Sequence, residues 1–160
     1  MNMDVSKREI TLRFLAEPTD ANFGGNVHGG IAMKWLDQAG YACATGWSGR
    51  YCVTAFVGNI NFRKPIAVGH LIEVNAKVIH TGTSSMHLAV NISSGDTKST
   101  ALNKAMHCIM VFVAVDENRR PSSVPLWTAE SEEDIRLEKY AITIKELHKA
   151  NKHKLDLIMG

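Results

Sequence analysis

Residues 28 to 47, "HGGIAMKWLDQAGYACATGW", hold a helical period and contain only two charged side chains, Lys34 and Asp37. On such a helix Ile31, Trp35, Ala39, Ala42 and Cys43 form one stripe, while Gly30, Met33, Asp37, Tyr41 and Ala44 lie on the opposite face. A helix that is apolar or small on both faces does not rest on a surface, so it is expected to be covered on nearly all sides. The rest of the chain must therefore wrap it. Asp37, in the middle of that helix, is out of place as an ordinary solvated charge.

The wrapping material is easy to find. "EITLRFL" alternates Ile10, Leu12 and Phe14 with polar positions, as a half-buried strand does. After "SGR" the period of two returns in "YCVTAFVGNINF", "HLIEVNAKVIH", "SMHLAVNIS" and "ALNKAMHCIMVFVAV". Turn chemistry separates the later runs at "RKPIAVGH", "TGTS" and "SGDTKS", predicting an antiparallel series. Ile109 to Val115 is apolar enough to be buried on both faces. A final helix is expected from Ser131, whose Ser-x-x-Asp spacing to Asp134 is a capping pattern, with Ile135, Tyr140, Ile144 and Leu147 in register and a basic last turn. The order is strand, long loop, buried helix, four strands, terminal helix. It satisfies an α+β fold in which a curved antiparallel sheet wraps one central helix, the hot-dog arrangement. Residues 1–125 are expected to form that domain and 126–160 a helical extension.

Composition narrows the function. At 160 residues and 45% hydrophobic, the chain is long enough for one domain with a sizeable core. Eighteen basic against sixteen acidic residues give a net charge of +2, too little to draw nucleic acid or a membrane surface by field alone. The N-terminal residues lack the apolar core of a signal peptide, and no run approaches the roughly 18 apolar residues of a membrane span, so a cytoplasmic protein is expected. Cys43, Cys52 and Cys108 show neither a C-x-x-C pair nor zinc-ligand spacing, and read as reduced thiols, two of them core filler. The four glycines between residues 24 and 30 match neither the dinucleotide fingerprint nor a phosphate-binding P-loop.

Two stretches carry a family resemblance. "DANFGGNVHGGIAMKWLDQAG" resembles the signature of the hot-dog acyl-CoA thioesterases of the acyl-CoA hydrolase type: Asn, two variable positions, Gly, then a Gly-Gly pair entering the helix and an Asp seven residues on. "FRKPIAVGHLIEVNAKVIHTGTSSM" resembles the same family's later strands, with His70 standing where the family usually has an acidic residue. The resemblance covers roughly residues 8 to 115. It implies hydrolysis of acyl-CoA to a free acid and coenzyme A, with no metal and no organic cofactor. A sheet covers the central helix on one side only, so Gly30, Met33, Tyr41 and Ala44 around Asp37 would stay exposed in a monomer, and a dimer with two sites at the subunit boundary is expected. The resemblance further implies a homo-oligomer built as a trimer of these dimers.

Residue by residue, Asp37 is the candidate general base or nucleophile, against the alternative of an ion pair with Lys34 or an arginine. Gly29 and Gly30 fall at the helix N-terminus, where open N–H groups suit a developing oxyanion. Asn22 matches the family's second polar catalytic position, with an Asx turn as its competitor. His28 is a candidate substrate contact or a helix cap. Thr83, Ser84 and Ser85 are turn formers that the family pattern assigns to the pantetheine or phosphates of coenzyme A. Arg63 and Lys64 are phosphate ligands or a solvated strand end.

Two other functions compete. A hot-dog dehydratase or hydratase would need His28 and Asp37 at one carbon, yet nine helical residues separate them by about 13 Å. A non-catalytic acyl-CoA sensor normally needs an attached output domain, for which neither terminus is expected to have room.

Overall fold

The computed structural model describes residues 5–160. After a short 3-10 turn, Val5–Arg8, come β1 (Glu9–Leu15), a second such turn (Pro18–Asp20), α1 (Gly29–Ser48), β2 (Cys52–Phe62), β3 (Leu71–Thr81), β4 (Ser85–Gly95), β5 (Asn103–Ala114) and α2 (Glu132–Met159). The five strands form one antiparallel sheet in the order β1-β3-β4-β5-β2, so β1 and β2 are its edges. The expected α+β hot-dog arrangement is thus present.

Period-two alternation sends Ile72, Val74, Ala76 and Val78 of β3 to one face, joined by Leu88, Val90 and Ile92 of β4 and Cys108, Met110 and Phe112 of β5. Against this face lie Ala32, Trp35, Leu36, Ala39, Cys43 and Ala44 of α1. Contact is closest at Gly40, where a Cβ would sit 2.8 Å from the Phe112 ring and 3.1 Å from Met110 Sδ. Replacing Gly40 with Val therefore overpacks the centre of the molecule. Urea unfolding should show a loss of about 1–3 kcal/mol, partly offset by the helix propensity gained; unchanged stability would mean that α1 sits further from the sheet.

The helix differs from expectation at Ala44, which belongs to the covered face, fully buried. Met33, Lys34, Asp37, Gln38 and Tyr41 stay exposed, as expected of a single copy whose sheet covers only one side of α1. All three cysteines, not two, are core residues. Burial pushes the thiols of Cys43 and Cys108 up to about 12.

The outer sheet face has its own small core, Ile79, Ala89 and Ile109, covered by Leu137, Tyr140, Ala141 and Ile144 of α2. Ser131 caps this helix as expected, its hydroxyl accepting from Asp134 N at 3.1 Å. Ile135 and Leu147, expected on the packing side, are exposed, since Leu137 and Ala141 take those places. The helix also continues to Met159, so the basic residues expected in its last turn lie inside it. Arg8 anchors the helix start: its guanidinium bonds both oxygens of Asp134, at 2.6 and 3.1 Å, and lies 4.5 Å over the Trp127 ring. Among the described residues no helix is long and apolar enough to cross a membrane.

Candidate active site

Asp37 is exposed on the open side of α1, and its only bonded neighbour among the described residues is Thr54 of β2, whose hydroxyl donates to Oδ1 at 2.9 Å. No ion pair with Lys34 or an arginine forms among those residues. One carboxylate oxygen is thus oriented by a hydroxyl and the other, Oδ2, remains open, the arrangement of a base or nucleophile held in one rotamer. Thr54 carries no sequence signal, being one polar residue on the exposed side of a strand.

Asn22 lies in a tight loop closed by its own main chain, with Asn22 N donating to Asn26 O at 2.6 Å. Its Oδ1 accepts from Gly24 N at 2.9 Å and Asn26 N at 3.2 Å, the Asx-turn geometry. The side-chain NH₂ is what remains for a substrate or water. His28 is the N-cap of α1, its Nδ1 accepting from Gly30 N at 3.1 Å. The Gly30 N–H, expected open, is therefore occupied by the cap, and Gly29 N–H is the donor left without a partner among the described residues.

The phosphate candidates separate. Arg63 and Lys64 follow β2, both donating backbone N–H to Ala105 O, near the end of α1 where Phe62 approaches Gly29. Thr83, Ser84 and Ser85 lie beyond the other end: Ala114 N bonds Ser84 O, and Ala114 pairs with Cys52 at the start of β2. Between these groups runs the whole of α1, about 30 Å long. One chain brings Asp37 to Thr54 and leaves the other candidates apart.

Beside Asp37 the open surface is apolar. Met33, Tyr41, Tyr51, Val53, Val57 and Phe62 are all more than a third exposed, and the Tyr41 and Tyr51 rings meet edge to face at 6.1 Å. Next to them β2 bonds only β5, leaving its outer edge unpaired. A continuous apolar strip beside a free strand edge is the profile of an interface. Among the described residues no three His, Cys, Asp or Glu side chains gather as metal ligands.

Comparisons agree with this architecture. A model of the thioesterase superfamily matches residues 24–101. The protein VdlD of Helicobacter pylori is 30% identical over 92% of this chain and 87% of its own length. The acyl-CoA thioester hydrolase YciA of Salmonella typhimurium is 30% identical over 74% of this chain and 91% of its own. Among solved structures, the acyl-CoA hydrolase of Staphylococcus aureus in complex with butyryl coenzyme A, coenzyme A and coenzyme A disulfide superposes with a TM-score of 0.88 at 27% identity, covering 96% of this chain and 94% of that one. Variants of that enzyme with an asparagine, an aspartate or a threonine replaced by alanine are also similar. A hexameric acyl-CoA thioesterase gives a TM-score of 0.87 at 28% identity, covering 92% of this chain and 95% of that one. On its fold, its glycine-entered central helix and these matches, the chain belongs to the acyl-CoA thioester hydrolases of the hot-dog thioesterase superfamily.

Proposed function

We propose that the protein hydrolyses acyl-CoA thioesters to the free acid and coenzyme A, with Asp37 acting on the thioester carbonyl. The observation that carries this reading is the Thr54–Asp37 bond, which orients one carboxylate oxygen and leaves the other open. Spacing adds support. In the S. aureus hydrolase the replaced asparagine, aspartate and threonine stand fifteen and seventeen positions apart, the intervals that separate Asn22, Asp37 and Thr54 here. Asp37 either takes a proton from water or attacks the carbonyl carbon itself. In both routes the carbonyl oxygen gains negative charge, which the Gly29 N–H at the positive end of α1 stabilises. Gly30 N–H joins it when the His28 ring turns away. Asn22, its oxygen engaged in the loop, contributes its NH₂ as a donor that orients the water or the substrate. The buried cysteines, with thiols held protonated, are unsuited as nucleophiles.

The site is completed by a second copy. Gly30 and Asp37 are seven residues apart on one helix, about 10 Å along its axis, too far for both to serve one carbonyl. Two protomers joined through β2, their α1 helices antiparallel, place the glycine end of one beside the partner's Asp37 and cover both apolar strips. Hexameric relatives fit a trimer of such dimers. Thr83, Ser84, Ser85 and Lys64 then contact the coenzyme A portion across that boundary.

Release of free thiol from a panel of acyl-CoAs tests the activity, and failure with every chain length would end this reading. Mixing tests the shared site. Inactive Asp37→Ala and Asn22→Ala proteins should recover activity after subunit exchange, since a mixed dimer holds one intact site; no recovery after verified exchange would place each site within one chain.

A further inference from the structure

The outer face of the sheet carries a cleft of about 280 Å³ that contains none of the groups proposed to act on the thioester. It lies between β3, β4, β5 and the first turns of α2, with the sheet separating it from α1 and Asp37. Arg63 after β2, Lys77 of β3, and Lys104 and His107 of β5 converge on it from three places in the chain, with Asn91 beside them. The one acidic residue in its lining, Glu133, is paired with Lys77 at 3.7 Å. Arg63 and Lys104 have no acidic partner among the described residues. His107 Nδ1 bonds Asn91 Oδ1 at 2.7 Å, which fixes the ring and leaves Nε2 as its remaining polar atom. Tyr140 of α2, its ring 6.5 Å from that of His107, is the other titratable neighbour.

Like charges gathered without a counter-charge repel one another, and a bound anion relieves that cost. The crowding is felt at His107, whose ring is held below its usual range by burial and by the Arg63 and Lys104 charges. Two uncompensated cations match a phosphomonoester, which carries about −1.5 to −2 at neutral pH. A guanidinium adds the fork that binds phosphate oxygens in pairs. At the small end of ligand-pocket sizes, the cleft has room for a phosphate and the group next to it, but not for a whole coenzyme. Leu137 and Ala89 give that neighbouring group an apolar wall.

We propose that this outer cleft is a phosphomonoester-binding site, with Arg63 and Lys104 holding the phosphate and Asn91 and His107 forming its polar floor. The phosphate comes either from the 3′-phosphate of coenzyme A or from a free nucleotide. This inference is independent of turnover, since a hydrolase active at Asp37 can have this cleft empty, and the cleft can bind phosphate in an inactive protein.

The experiment is a titration of the full-length protein with adenosine 3′,5′-bisphosphate, followed by calorimetry and by the ring resonances of His107. The bisphosphate should bind and shift those resonances, and adenosine should not. Arg63→Gln and Lys104→Gln, both at exposed positions and checked for folding by circular dichroism, should each weaken binding about tenfold or more, as loss of a charged hydrogen bond does. Coenzyme A shifting His107 where dephospho-coenzyme A does not identifies the 3′-phosphate as the source. A bisphosphate shift that persists under saturating coenzyme A identifies a separate nucleotide. No shift with any phosphate compound at millimolar concentration, or variants that bind like the parent protein, overturns the proposal.

Discussion

Asp37→Asn should lower turnover by a factor on the order of 10² to 10⁴, the usual loss when a catalytic base or nucleophile is removed. The fold should survive, because Asp37 is exposed and its one described bond is to Thr54. A smaller effect, about tenfold, is expected for Thr54→Val, which removes the donor but keeps the carboxylate. Thr54→Ser should restore most of it, since the hydroxyl returns. Turnover near the parent value in Asp37→Asn would transfer the chemistry to another group. Unfolding of that variant would instead make the Thr54 bond structural.

Acid should destabilise the protein through His87. This side chain is 3% exposed beneath α2, its Nδ1 has no partner, and the His80 ring lies 5.4 Å away. Burial, followed by the charges of His80 and Lys145, pushes it down to about 4 from 6.5. The unfolded chain accepts a proton as pH falls below about 6.5, whereas the folded chain refuses it until about 4. Stability therefore declines across that window, by on the order of 3 kcal/mol in all. Below it, a second loss begins at Asp134. Burial there opposes ionisation, yet the Arg8 hydrogen bond and charge outweigh it and hold the carboxyl below its ordinary value. The Asp134 contribution is present above the ordinary carboxylate range and disappears only as pH falls through the lowered one. Urea unfolding of the parent and His87→Leu proteins at pH 7 and 4.5 separates the two. The variant should lose most of the difference between these pH values; an unchanged difference would clear His87.

Most of the fold was legible because it rests on periodicity. Ile72, Val74, Ala76 and Val78 announce a strand by alternation alone, and α1 announces a wrapping sheet by lacking charge. Asp37 was legible for the same reason, as the exception to a pattern. Thr54 was not, since a single hydroxyl on an exposed strand position breaks no pattern, and only the placement of β2 beside α1 brings it to the carboxylate. The packing stripe of α2 was misread at Ile135 and Leu147 because a helix with polar residues on most faces fits several stripes. The register is decided by the small outer patch of Ile79, Ala89 and Ile109. The cation cluster was invisible for a topological reason. Arg63, Lys77 and Lys104 are far apart in sequence, and become neighbours only through the strand order.

That strand order also dictates a sequence of events during synthesis. β3, β4 and β5 are consecutive and pair with their neighbours along the chain, whereas Thr54 of β2 pairs with Phe112, a residue made much later. The contacts cheapest in loop closure are those of the central three strands, and β2 is fixed only after β5 exists. Although Asp37 and Thr54 are close in sequence, a nascent chain must hold α1 without its sheet until nearly all the strands have emerged, several seconds at ordinary translation rates. In the finished protein the same strand, bonded like β1 along one edge only, can detach while the central strands stay paired, so the carboxylate and its hydroxyl can part without the core unfolding. Among the strands, the last to be fixed is thus the one that holds the proposed catalytic carboxylate in its rotamer, and in the proposed dimer a second copy closing over β2 would lock it in place.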